Sequence, residues 1–234
     1  MTVTDEEYAE KAREQLMVVA ANINEFKRQL PNQVSMATDP ITPKVAFKLI
    51  VFREALLWRT IALADGAITA LEAGQILPSI LLARAVQENT AANHYLLKKL
   101  EQCVHSDSVT ELDDIAMKLL LGSRWSDWEH SAVNILSMID KVEKTIAGFR
   151  RSYESLCEYS HPNYSGVALC FSEHSGPYDV SFGNYLRGFG RHFFTATNSL
   201  YASLMLFESD YNNSADLLFE VIELCRRDLE TNLN

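Results

Sequence analysis

Apolar residues recur at helical spacing through most of the chain, and that period excludes most other architectures. Tyr8, Ala12, Leu16, Val19, Ile23, Phe26 and Leu30 fall three or four positions apart, which places them on one stripe of a helix. Thr4 and Glu7 stand at capping-box spacing, so this helix is expected to begin at Thr4 and to stop at Pro31-Asn32. Residues 31–43 hold three prolines and read as a loop crossing the surface. A second helix is expected from about Pro43 to Asp65. It is apolar on nearly every side (Val45, Phe47, Leu49, Ile50, Phe52, Leu56), the pattern of a central helix. Gly66 and Gly74 bracket an irregular connection. A third helix is expected with Pro78 in its first turn, where a missing N–H costs nothing, and runs to about Val104.

On the third helix, 100° steps put Gln87, Thr90, His94 and Lys98 on the polar arc. Arg84 and Glu88 fall instead with Ile80, Leu81, Ala91, Ala92 and Tyr95, on the face expected to be buried. Charged side chains are rarely buried without partners, and at i, i+4 these two are placed to pair. Thr110 is expected to cap a short helix through Leu112, Ile115, Leu119 and Leu120, stopped by Gly122. Trp125 and Trp128 read first as core anchors and, in the alternative, as a partner-binding patch. Val133, Leu136, Ile139, Val142 and Ile146 mark the next helix, and Gly148 breaks it. From Phe149 to Ser160, Phe149, Tyr153, Leu156 and Ser160 form one stripe, while Glu154, Glu158 and His161 form the adjacent one. Pro162 disfavours helix at the preceding residue, so this segment should end at His161.

After Gly166 the period changes to two. Val167, Leu169 and Phe171 alternate with smaller residues, a turn over Glu173 to Pro177 follows, and Tyr178, Val180 and Phe182 alternate again. This predicts a β-hairpin. Two more helices are expected, from about Asn184 to Glu208 and from Asn213 or Ser214 onward. The fold class is therefore mainly α: a bundle of six to seven helices with one short β-hairpin near 167–182. The length supports a single helical domain over residues 1–234, with residues 1–43 supplying an N-terminal helix and a surface loop packed on it.

Charge narrows the partners. Lys and Arg number 21 against 31 Asp and Glu, a net charge of −10. That balance disfavours a long anionic polymer and leaves Arg150-Arg151, Arg187/Arg191 and Arg226-Arg227 as sources of any local basic patch. Cys103, Cys157, Cys170 and Cys225 form no C-x-x-C pair and read as reduced, buried thiols of a cytoplasmic protein. The acidic start, Thr2 to Glu7, is unlike a signal or transit peptide. No apolar run approaches the roughly 20 residues that span a bilayer, so no membrane association is expected. Glu158-x-x-His161 has the spacing of one ligand pair of a di-iron carboxylate site. Such a site needs two of these pairs and further glutamates, and only one pair is present, so neither metal nor cofactor is expected.

The stretch Tyr153 to Tyr164 carries the candidate chemistry. His161 closes a helix end with Glu158 one turn behind it, and a histidine so placed can cap the helix, hold an anion or move a proton. The expected site brings Arg84 and Glu88 to Tyr153, Glu158 and His161, with Asn163 and Tyr164 at the rim. In a catalytic reading His161 is the acid or base, Glu158 orients it and Arg84 holds an anion. A structural polar network has the same motive, because buried polar groups satisfy one another.

A helical bundle with a charged pair on a central helix, and a helix ending in histidine, resembles the HEPN superfamily. That resemblance implies a metal-independent ribonuclease of a toxin or antiviral system. The family signature is an arginine, four to six residues, then a histidine. Here His161 matches, while Leu156, Ser155 and Glu154 occupy the positions for the arginine, which implies a degenerate, non-cleaving member. The run Val133 to Val142, Tyr153-x-x-Leu156-x-Glu158-Tyr159-x-His161-Pro162-Asn163-Tyr164-x-Gly166 and the segment Leu77 to Glu88 resemble a group of uncharacterised bacterial hypothetical proteins. The expected function is thus a bacterial helical module associated with a small anionic ligand or RNA. The alternatives are an acid–base hydrolase or ribonuclease using His161, and a purely structural homo-oligomer, most simply a homodimer.

Overall fold

A capping box opens the chain, as its spacing requires. In the computed structural model, which describes residues 3–36, 43–125, 127, 129–184 and 189–233, the Thr4 N–H donates to Glu7 Oε2 at 2.7 Å and the Glu7 N–H donates to Thr4 Oγ1 at 3.2 Å. Helix α1, Asp5–Gln29, follows and buries Ala9, Ala12, Leu16, Val19 and Ile23. Helix α2 is Lys44–Glu72 and α3 is Ile76–Ser106. Gly66 does not end α2, because its missing side chain makes room for α3: a Cβ there would lie 3.3 Å from Leu82 Cδ1. The stop is Gly74, in the left-handed region at φ +69°. Its N–H donates to the Leu71 carbonyl and the Gln75 N–H to the Ala70 carbonyl, the paired closure of a Schellman motif.

Helix α4 is Leu112–Leu120; Glu111, not Thr110, precedes it, and no side chain caps it. Trp125 is 82 % exposed, so it is no core anchor; Trp128 lies outside the described residues. Helix α5 is Ile135–Thr145, with the Leu136 N–H donating to Asn134 Oδ1 at 2.9 Å. Gly148, at φ +90°, separates it from α6, Phe149–Ser160. The helix stops at His161, which is extended.

The hairpin is narrower than its period predicts. Tyr164–Ala168 winds as a single π turn and Leu169–Phe171 as one α turn, α7. Val167, Leu169 and Phe171 are therefore helical, not a strand. Asn163 drives this: its Oδ1 accepts from the Gly166 N–H at 3.0 Å, a local cap that sets helix in place of an extended start. The strands are β1, Ser172–His174, and β2, Val180–Phe182, antiparallel with Glu173 opposite Ser181. Tyr178 and Phe182 stand exposed. The two terminal helices expected from sequence are one, α8, Phe189–Leu233. Ser214, read as a helix start, instead donates to the Tyr211 carbonyl within the helix and accepts from Arg53. Among the described residues no helix is long and apolar enough to cross a membrane.

The chain divides into two compact units, each assembled from three stretches. Unit 1 comprises Met1–Gln29, Thr60–Glu88 and Ile146–Met205. In it α1 is tied to α8 by Tyr8 against Phe194, ring centroids 5.4 Å apart, and by Gln15 to Asn198. Asp5 adds a further tie by accepting from the Gly190 and Arg191 N–H groups. Unit 2 comprises Leu30–Arg59, Asn89–Thr145 and Leu206–Asn234. Its core joins Leu49, Leu96, Leu100, Cys103, Leu112, Ala116, Leu218, Val221, Leu224 and Cys225.

Candidate functional site

Part of the arc expected to be polar and exposed on α3 is buried, together with Ile80 and Ala91 of the expected core face. Gln87, Thr90 and His94 are fully buried, while Leu81 is exposed and Arg84 and Glu88 are partly exposed. Gln87, Asn93 and His94 each find a partner on another element, which offsets part of the cost of burying them, although Gln87 Oε1 and Asn93 Oδ1 stay buried without a hydrogen bond among the described residues. In unit 1, Gln87 Nε2 donates to Ser152 Oγ at 2.9 Å, and Ser152 meets Ser199 at 3.2 Å. In unit 2, His94 Nδ1 lies 2.9 Å from Asp210 Oδ2, and Thr145 Oγ1 lies 3.4 Å from Nε2. Asn93 Nδ2 donates to the Phe207 carbonyl.

On the adjacent face, α3 and α6 build a four-residue cluster within unit 1. Arg84 Nη2 donates to Tyr153 Oη at 2.9 Å and pairs with Glu88 Oε1 at 3.0 Å. Tyr153 in turn donates to Glu88 Oε1 at 2.8 Å. Arg84 Nε donates to Cys157 Sγ at 3.1 Å, and the guanidinium carbon stands 5.2 Å from the Tyr153 ring centroid. Spacing explains the convergence. Arg84 and Glu88 are one turn apart on α3, and Tyr153 and Cys157 are one turn apart on α6, so two i, i+4 pairs face each other. Burial, then the bond to Glu88, pushes the Tyr153 hydroxyl well above the usual phenol range. Burial works against the Arg84 charge, but the contacts with Cys157 and Glu88 outweigh it and hold the guanidinium above its usual value.

The remaining expected site residues lie apart from this hydrogen-bond network. Glu158 is exposed and accepts from Asn163 Nδ2 at 3.0 Å. His161 is exposed, and its carbonyl accepts from the Asn163 N–H. Tyr164 is exposed. Among the described residues no hydrogen bond joins Glu158, His161 or Tyr164 to Arg84, Glu88 or Tyr153. Cys157 also belongs to the cluster, although the sequence reading takes all four cysteines as buried thiols; its place one turn after Tyr153 is the available signal. Among the described residues no three His, Cys, Asp or Glu side chains gather as a metal-binding group.

A second array, in unit 2, uses the same three side-chain types. Arg53 pairs with Glu54, stacks 3.4 Å from the Tyr211 ring centroid, and donates to Ser214 Oγ and the Tyr211 carbonyl. Tyr211 donates to Glu54 Oε2 at 2.5 Å. Nε and both terminal nitrogens of Arg53 are thus used, and its side chain is 10 % exposed. Arg84 differs on both counts. Its side chain is 31 % exposed, and among the described residues its Nη1 has no partner. Compared with known proteins, the chain matches no family model, no curated protein and no solved structure.

Proposed function

We propose that the chain is a helical module that binds the phosphate of a small anionic ligand at Arg84 without cleaving it. The observation that carries this reading is the contrast between the two arginine arrays. Arg53 is closed on every side and serves the scaffold. Arg84 is held by Glu88, Tyr153 and Cys157, yet about a third of its side chain is exposed and its Nη1 has no partner among the described residues. A guanidinium held rigid by its neighbours loses little side-chain entropy on binding, and its planar donors suit phosphate. Glu88 offsets part of the positive charge, so recognition rests on directed hydrogen bonds more than on bulk attraction, in keeping with the net charge of −10. Among the described residues no imidazole is hydrogen-bonded to the cluster, and His161, the histidine of the degenerate motif, stands exposed outside it. The likeness to HEPN bundles with a degenerate motif fits a bacterial, cytoplasmic, non-cleaving member.

The phosphate has two sources, a free nucleotide or the end of an RNA. Calorimetric titration with nucleoside monophosphates and with a 5′-phosphorylated oligoribonucleotide separates them. Arg84→Gln is expected to abolish binding of whichever ligand binds the native protein, and the RNA is expected to be recovered intact. Binding unchanged in Arg84→Gln, or no binding of either ligand, would overturn the reading.

A further inference from the structure

Among the described residues, the sheet of unit 1 holds β1 and β2 alone, and Val180, Ser181 and Phe182 of β2 are all exposed. The Ser175 N–H donates to the Asp179 carbonyl, and the Gly183 N–H to the Phe171 carbonyl. With Glu173 opposite Ser181, these contacts mark the bonded pairs of the ladder. The alternation of an antiparallel pair then turns the N–H and C=O groups of Val180 and Phe182 outward. Such a row of backbone donors and acceptors is a template for another strand, and proteins ordinarily block it with charge or proline. Strand β2 carries neither. Apolar side chains stand beside it: Tyr178, in the adjoining turn, is 100 % exposed and Phe182 80 %.

We propose that a second copy of this chain covers this edge, β2 against β2 across a two-fold axis at Ser181. In that register Val180 and Phe182 of one copy exchange N–H···O=C bonds with Phe182 and Val180 of the other, and Ser181 meets Ser181. The product is a continuous sheet of order β1-β2-β2-β1 in place of a lone hairpin, which is marginal by itself. Charge selects β2 over β1. The same symmetry at the β1 edge sets Glu173 directly against Glu173, and like charges directly opposite destabilise a strand pair; at the β2 edge the residue on the axis is neutral. Area sets the strength. Tyr178, Val180 and Phe182 offer about 400 Å² of apolar surface per copy. With the strand backbone, two copies bury about 1,000 Å², the lower end of specific interfaces. The pair is therefore concentration-dependent, with a dissociation constant of roughly 1–100 µM. Neither Arg84 nor its partners lie on β2, so this surface stands apart from the phosphate reading.

The test is sedimentation equilibrium of the native chain from about 1 to about 500 µM. A monomer–dimer equilibrium is expected within that range. Ser181→Glu sets two carboxylates on the axis and is expected to weaken the dimer about tenfold or more. Ser181→Cys, made together with Cys157→Ser to remove the partly exposed thiol, is expected to bridge the two copies on mild oxidation. The Cα atoms of a pair lying between bonded positions stand about 4.5 Å apart, within disulfide reach. Glu173→Cys in the same background lies one strand further out on each side, about 14 Å from its mate, and is expected not to bridge. A native chain that is monomeric throughout would overturn the proposal. So would a dimer that Ser181→Glu leaves unchanged, or Glu173→Cys bridging as fast as Ser181→Cys. Cosedimentation of a monomeric chain with phosphatidylcholine vesicles, lost in Phe182→Ser, would overturn it in favour of a lipid surface.

Discussion

Removing the Asp210 carboxyl tests a deeply buried polar contact of α3. In Asp210→Ala, His94 Nδ1 loses a partner 2.9 Å away, at a place where the two side chains are 2 % and 7 % exposed. Bulk water does not reach the ring nitrogen to replace that partner. A hydrogen bond to a charged group contributes about 1.5–3 kcal/mol, and a stranded buried polar group costs about 1–3 kcal/mol more. The expected loss is therefore about 3–5 kcal/mol, the range for breaking a buried pair by removing one member. For a chain of this length that lowers the melting temperature by roughly 6 to 20 °C. His94→Leu makes the other edge of a double-mutant cycle. Once both polar partners are gone nothing is stranded, so the double variant should be less destabilised than the sum of the singles. Urea unfolding followed by far-ultraviolet circular dichroism measures all four corners. The expected coupling is about 1.5 kcal/mol or more, and a coupling below about 0.5 kcal/mol would refute the argument, since that is the scatter of independent sites.

Two further outcomes follow from the close approaches. A Cβ at Gly166 would lie 2.2 Å from the His161 carbonyl oxygen and 2.9 Å from that of Tyr159; both are backbone, so Gly166→Ala should cost about 1–3 kcal/mol in urea unfolding, and a neutral result would show that the turn after α6 yields freely. Asp5 accepts from two backbone N–H groups of α8, from Gly190 and then Arg191, and these hold its carboxyl below its ordinary value of 3.8. A lowered carboxyl contributes stability above its unfolded value and loses it as pH falls through the lower native one. The NMR titration midpoint of Asp5 is expected below 3.8, and a midpoint at or above that value would mean the α1–α8 tie is not formed in solution.

Most of the helices were legible because their signals are local. The Thr4–Glu7 box, the stripe of α1 and the halt before Pro162 each depend on residues within a few positions of one another. The pairing of Arg84 with Glu88 was legible for the same reason. What escaped was set by distant partners. His94 and Asp210 are 116 positions apart, so hydropathy assigned His94 to water although a carboxyl waits for it. Ser214 reads as a helix start until Arg53 occupies its hydroxyl. The period-two run at Val167 to Phe171 is overridden by Asn163, whose amide carbonyl closes a π turn that alternation alone does not reveal. In the candidate site, Arg84, Glu88 and Tyr153 meet, whereas Glu158 lies on an exposed face of α6 and His161 just past its end.

The interleaving of the two units also dictates an order of events during synthesis. Unit 1 needs Ile146–Met205 and unit 2 needs Leu206–Asn234, so neither is complete until its third stretch has been made. Loop closure over such long separations is slow and leaves apolar helices uncovered while it waits. Helix α2, apolar on much of its surface and made before its later partners, is exposed to misassociation in that interval. A stalled or truncated chain lacking the second half of α8 would carry the whole sequence of unit 1 and no means of closing unit 2.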